Sequence, residues 1–168
     1  IGEVFSGMRN EVVISTKYSY DFENVDQIGH KELPQRFDAE FTNRALKNSL
    51  ARLQTDYVDV YGLHNPKLRH IHDDTIFQTL DGLIGEGKIK TYQVALGPAI
   101  GWTEEGIEAM ERKNVSAVQT VYNILEQTPG NELIERAAEK DVGILVRVPD
   151  ASGIRSEEHT SELQSRTN

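Results

Sequence analysis

Cysteine is absent from the 168-residue chain. That excludes disulfides, thiolate metal sites and a cysteine nucleophile, and it fits a reducing, cytoplasmic setting. Long apolar runs are missing too. No stretch approaches the ~18 apolar residues of a membrane span, so no membrane partner is expected. The opening IGEVFSGMRNE has neither a signal-peptide pattern nor an initiating Met, and the natural N-terminus is expected upstream. Basic charge is in short supply: 18 Lys and Arg stand against 27 Asp and Glu, a formal net charge of -9. Acidity of this kind repels nucleic acid, and no basic stripe offsets it. No Gly-rich phosphate loop follows any β-branched segment, which argues against an open nucleotide-binding sheet.

What is present alternates between two kinds of segment. Short, β-branched stretches recur: VVIS (12–15), YVDVYGL (57–63), TYQVAL (91–96), SAVQTVY (116–122) and GILVRV (143–148). They are apolar on both faces and bounded by turn formers, as parallel strands covered on both sides are. Between them lie stripes of helical spacing. Phe41, Ala45, Leu46, Leu50 and Leu53 follow a capping Asp38. Ile76, Phe77, Leu80, Leu83 and Ile84 follow Asp73 and Asp74, with Gly87 where a C-terminal cap belongs. Leu133, Ile134, Ala137 and Ala138 form a third stripe, a shorter helix starts at Thr103, and residues 1–8 read as the end of another helix. Strand-helix-strand units with right-handed crossovers build an open doubly wound sheet or a closed barrel. A closed barrel takes eight units and ~250 residues, so five strands predict either an open sheet or part of a barrel.

Two regions break the pattern. The polar connection at 18–38 is far longer than the usual 2–6 residues and leaves the C-terminal end of a strand, where substrate lids sit. From Arg155 the apolar period stops, and RSEEHTSELQS (155–165) resembles the translation of a sequencing adapter. Residues 1–154 are therefore expected to carry the fold, and 155–168 to be an artefactual tail.

In a β/α architecture, functional side chains gather at the C-terminal ends of the strands. Those ends hold Lys17, His64, the run Ala95-Leu96-Gly97-Pro98, Gln119 with Asn123, and Arg147. A lysine there can supply a positive field or, with a depressed pKa, a Schiff base. A histidine there can donate to a carbonyl oxygen or act as acid or base. His70 and His72 find no further ligands in the sequence for a metal, and none is expected.

VVISTK, RALKNSLARLQTDYVDVYGLHNP, the LIGEGKIK segment, VQTVYNILEQ and VPDASGI together resemble the aldo-keto reductase family across residues 1 to about 153. The resemblance implies a parallel (β/α)8 TIM barrel, truncated at both ends to strands three to seven of eight. It implies NADPH-dependent reduction of aldehydes and ketones, with a small carbonyl compound as substrate. Lys17 and His64 become the lysine and histidine of the family's catalytic tetrad. Its aspartate and tyrosine are expected before Ile1, so the chain alone is expected to be inactive. Tyr18 and Tyr20 do not match the tyrosine's motif and read as loop residues. Gln119 becomes the glutamine that binds the nicotinamide carboxamide. Two positions depart from the pattern: Ala95-Leu96 replaces a Ser-Asn pair, and Arg147 stands where an aromatic stacks on the nicotinamide. Arg147 is expected either to stack there or to pair with a substrate carboxylate or Asp150. Trp102 is expected to line the pocket or to pack at a helix start. The departures motivate a rival reading, a non-catalytic, cofactor-sensing relative; a Schiff-base aldolase using Lys17 is more remote.

Overall fold

Residues 1–22, 33–98, 102–151 and 153 are described by the computed structural model. The elements are α1 (Gly2–Phe5), a 3-10 turn at Arg9–Glu11, β1 (Ser15–Tyr18), α2 (Ala39–Leu53), β2 (Val58–His64), α3 (Leu68–Ile71), α4 (Asp74–Gly85), β3 (Ile89–Ala95), α5 (Thr103–Met110), β4 (Val115–Val121), α6 (Gly130–Lys140) and β5 (Gly143–Arg147). Each boundary has a local cause. Asp38 caps α2 by accepting from Phe41 N at 2.9 Å, and Asp73 caps α4 by accepting from Thr75 N at 3.0 Å. Asp74, expected to share that role, is the first helical residue instead. At the far end of α4, Gly87 takes φ +70° and donates to Ile84 O, while Lys88 N donates to Leu83 O. These two bonds form a Schellman closure, and glycine removes the cost of its left-handed residue.

The strands form a five-stranded parallel sheet in chain order β1-β2-β3-β4-β5, the order of consecutive units around a β/α barrel. Helices cover its outer face, where Tyr61, Leu63, Tyr92, Val94 and Val118 are buried. The ring of Tyr18 stacks on that of Tyr61, centroids 4.6 Å apart, on this same side. None of the helices among the described residues is long and apolar enough to cross a membrane.

Three expectations are corrected: the span of the first strand, the place of Tyr18 and the buried face of α6. The first strand is Ser15–Tyr18, not 12–15. Ile14 N donates to the Asp59 carboxylate rather than to a ladder partner, and Val13 is 78% exposed, so the apolar run is an approach to the sheet. Tyr18 is consequently a strand residue, not a loop residue. In α6 the buried residues are Gly130, Leu133 and Ala137; Ile134 and Ala138 are exposed, because α6 packs on α5 and β5 alone among its substantial contacts. The 65–72 connection contains α3, whose Ile71 is fully buried. Of the long connection, residues 23–32 lie outside the described residues, as does the expected tail at 155–168.

Candidate functional site

Strand alternation and register decide which side chains share the concave face. Lys17 pairs in register with Gly62, Gly62 with Gln93, Gln93 with Ala117, and Ala95 with both His64 and Gln119. Gln119 pairs with Leu145 and Val121 with Arg147. Lys17, His64, Gln119 and Arg147 therefore lie on one face near the C-terminal ends of four strands.

The sheet curls enough for β1 and β4 to touch. Lys17 Nζ donates to Gln119 Oε1 at 2.9 Å, although two strands lie between them. In a flat sheet three inter-strand steps separate the two backbones by about 14 Å, so this contact records barrel curvature. One level below, Gln93 Nε2 donates to Ser15 Oγ at 3.0 Å. Gly62 sits under both links. A Cβ there would lie 2.8 Å from Lys17 Cγ and 3.2 Å from Gln93 Nε2, so glycine supplies the space through which these side chains cross.

Arg147 brings a second cation to the same mouth. Its Nε and Nη2 are buried and have no hydrogen-bond partner. Much of Lys17 meets solvent, yet partial burial and then the charge of Arg147 lower its pKa below the ordinary lysine value. Of the two roles expected for Arg147, the pairing with Asp150 does not form among the described residues, and Asp150 is exposed.

His64 closes β2, and a polar frame surrounds it. Its ring lies edge-on to Tyr20, centroids 5.3 Å apart at 82°. The Tyr20 hydroxyl accepts from Asn65 Nδ2 at 2.9 Å and Gln35 Nε2 at 3.4 Å. Gln35 Nε2 also donates to the backbone oxygens of His64 and Asn65 at 3.1 and 2.7 Å. Tyr20 and Gln35 meet in an isolated antiparallel bridge, where the long connection returns on itself. A cavity of about 70 Å³ adjoins Lys17, His64, Tyr20 and Asp21, with Arg44 and Asn48 of α2 on its far wall. Tyr20 and Gln35 carry no motif and no periodicity; only the loop's return brings them to His64 and its neighbour Asn65, so spacing had no means of finding them.

On the other flank, Ala95 and Leu96 are buried and offer no polar side-chain atom. Leu96 N donates to Gln119 O at 2.9 Å, which ties the end of β3 to β4. Trp102 lies over Gly97, where a Cβ would meet its indole at 2.1 Å, and Lys67 Nζ sits 4.2 Å from the ring centroid. Of its two expected roles, Trp102 takes the helix-start one: it precedes α5 and packs on Gly97 just past β3, and it is not among the residues lining the cavity beside Lys17 and His64. Asn123 organises the loop after β4, accepting from Leu125 N and Glu126 N and donating to Val148 O just past β5. His70 Nδ1 accepts from Lys67 N, and His72 Nε2 contacts Glu108 at 3.2 Å, both away from the mouth.

Comparison with known proteins bears on the family and the fold. A model described as the aldo/keto reductase family matches residues 1–168. The holo structure of aldo-keto reductase AKR11C1 from Bacillus halodurans superposes with a TM-score of 0.80 at 28% identity, over 94% of this chain and 49% of that one. The chain is 28% identical over 148 residues to an Escherichia coli protein named NADH-specific methylglyoxal reductase, covering 83% of this chain and 43% of that protein. It is 23% identical over 158 residues to the oxidoreductase YqkF of Bacillus subtilis, covering 94% and 48%. The chain spans about half the length of the curated relatives it matches, or somewhat less. With the family match running its full length and five consecutive β/α-barrel strands in place, this chain belongs to the aldo/keto reductase family of oxidoreductases.

Proposed function

We propose that this mouth serves the reduction of small aldehydes and ketones by a nicotinamide dinucleotide, NADPH on the family resemblance, with Lys17 and His64 as catalytic residues, Gln119 at the cofactor and Arg147 beside it on the same rim. The 2.9 Å link from Lys17 Nζ to Gln119 Oε1 carries the reading. It joins a cation and an amide from distant strands in the opening that His64 also borders. The lining suits the amide end of the cofactor at Gln119: with Oε1 engaged by Lys17, Nε2 is the group left to donate to a carboxamide oxygen. The hydrocarbon side chains of Ala95 and Leu96 add no hydrogen bond there. When bound, the nicotinamide supplies a hydride to the carbonyl carbon.

The chain's own groups manage the charge and the proton. As the carbonyl carbon is reduced, its oxygen gains negative charge, and a His64 ring N–H within reach meets it. The ammonium of Lys17 adds a positive field, which also favours ionisation of a neighbouring acid. Tyr18 is not that acid. It points to the helix side of β1, stacked on Tyr61, and burial raises its hydroxyl pKa above the ordinary range. On the resemblance, the proton comes from a tyrosine that precedes Ile1, and the 168-residue chain binds without turning over.

A second reading, NADH as reductant, is favoured by the name of the Escherichia coli relative. Titration with NADPH and with NADH, followed by energy transfer from the single Trp, separates the two. Saturable binding of one dinucleotide that weakens in Lys17→Met and Gln119→Leu is expected. No saturable binding of either, or binding indifferent to both substitutions, would defeat the proposal.

A further inference from the structure

We propose that Arg147 and Lys17 form a carboxylate-binding site at this mouth, and that the substrate is an oxo acid, an aldehyde or ketone bearing a carboxylate near its reacting carbonyl. The carbonyl half rests on the reductase reading; the carboxylate half rests on this chain alone. Three observations lead to it. Arg147 Nε and Nη2 are buried donors without a partner, and buried donors are almost always satisfied. Among the described residues, neither Arg147 nor Lys17 has an ion-pairing carboxylate, so two cations face one opening uncompensated. The register sets Arg147 opposite Val121, two residues beyond the Gln119 that holds Lys17, so both cations border the same space.

A ring stacked on the guanidinium face would leave the Nε and Nη2 edge unsatisfied. A carboxylate meets that edge with two parallel hydrogen bonds, in the plane of the guanidinium. Lys17 then adds a point charge from the opposite wall. The expectation that Arg147 pairs with a substrate carboxylate thus has the geometry behind it, and stacking on the nicotinamide does not use the orphaned donors. The lowered pKa of Lys17 accords with two like charges waiting for an anion.

The test uses the 168-residue chain and the Nε–H resonance of Arg147, identified from its loss in Arg147→Met. Propionate, propionamide and inorganic pyrophosphate are titrated in turn. The proposal expects propionate to shift the resonance saturably, at least tenfold more tightly than propionamide, with affinity falling as salt rises. Arg147→Lys should weaken propionate binding about tenfold while leaving far-UV circular dichroism unchanged, because it keeps the charge and loses the fork; this variant serves if Arg147→Met does not fold. Equal response to propionate and propionamide overturns the proposal. So does a response to pyrophosphate with none to propionate, which would make this a phosphate site. The two readings separate cleanly. Carboxylate binding without dinucleotide binding sinks the reductase reading, and with it the carbonyl half, but keeps the carboxylate site, whereas dinucleotide binding without carboxylate selectivity does the reverse.

Discussion

Asp59 is the charge on which the lower end of the sheet is organised, and its replacement by Asn has a calculable cost. The carboxylate is 9% exposed and lies 2.8 Å from Arg9 and 2.6 Å from Lys90, and it accepts from Ile14 N at 2.9 Å. Burial alone would raise its pKa. The bonds from Lys90, from the Ile14 N–H and from Arg9 outweigh that and hold it at about 2, against an ordinary 3.8. At 1.36 kcal/mol per pH unit, the difference corresponds to about 2 kcal/mol of stability. Lys90 is 61% exposed, so its share is screened and the larger part comes from Arg9 and the backbone donor. Because the folded pKa is depressed, the contribution is fully present above about pH 4 and is lost as the pH falls through 2. Urea unfolding followed by far-UV circular dichroism at pH 7, 5, 3 and 2 should show Asp59→Asn less stable by about 2 kcal/mol at pH 7. The gap should close between pH 4 and pH 2, since a protonated Asp59 resembles the Asn. A gap that ignores pH, or one below about 0.5 kcal/mol at pH 7, the scale of an ordinary surface change, would refute the argument.

Gly62→Ala should force Lys17 aside, cost about 1–3 kcal/mol by overpacking and weaken dinucleotide binding as Lys17→Met does; unchanged affinity would mean that the Lys17–Gln119 link is not the one that matters. Arg147→Met should raise the Lys17 pKa toward its ordinary 10.5, read from the Lys17 Cε shift during a pH titration. A pKa that stays put would place Arg147 outside the field of that ammonium. Removal of residues 155–168 should leave the urea midpoint unchanged if that segment is foreign to the fold; a lower midpoint would show that it packs on the barrel portion.

The parallel strands β2 to β5 were legible to within two residues because burial under the helices writes short, mostly apolar runs bounded by turn formers; β5 keeps that pattern although Leu145 and Val146 are exposed. β1 was misread for a physical reason: Val12, Val13 and Ile14 are apolar, but the approach to the sheet is held by the Asp59 side chain, which no periodicity reveals. Helix starts were legible where an acid precedes an apolar stripe, as at Asp38 and Asp73. Two helix ends were not, because Gln54 and Asp141 take the left-handed cap conformation usually given to glycine. Lys17, His64, Gln119 and Arg147 could be named in advance because parallel strands deliver their C-terminal ends to one rim. Their relations could not, since these depend on register and curvature.

Arg147 shows what register adds to a residue already singled out. In sequence it stands 130 positions from Lys17, in a place where an aromatic was expected, and its charge alone is compatible with stacking, with a substrate carboxylate or with a salt bridge to Asp150. The pairing of Val121 with Arg147 and the bond from Lys17 to Gln119 reduce that set. They turn two cations toward one opening, leave Asp150 outside it, and bury guanidinium donors without acceptors. A protein interior rarely keeps such donors unmet, so the chemistry of the missing acceptor is constrained by the walls: anionic, planar and small enough to share the mouth with His64.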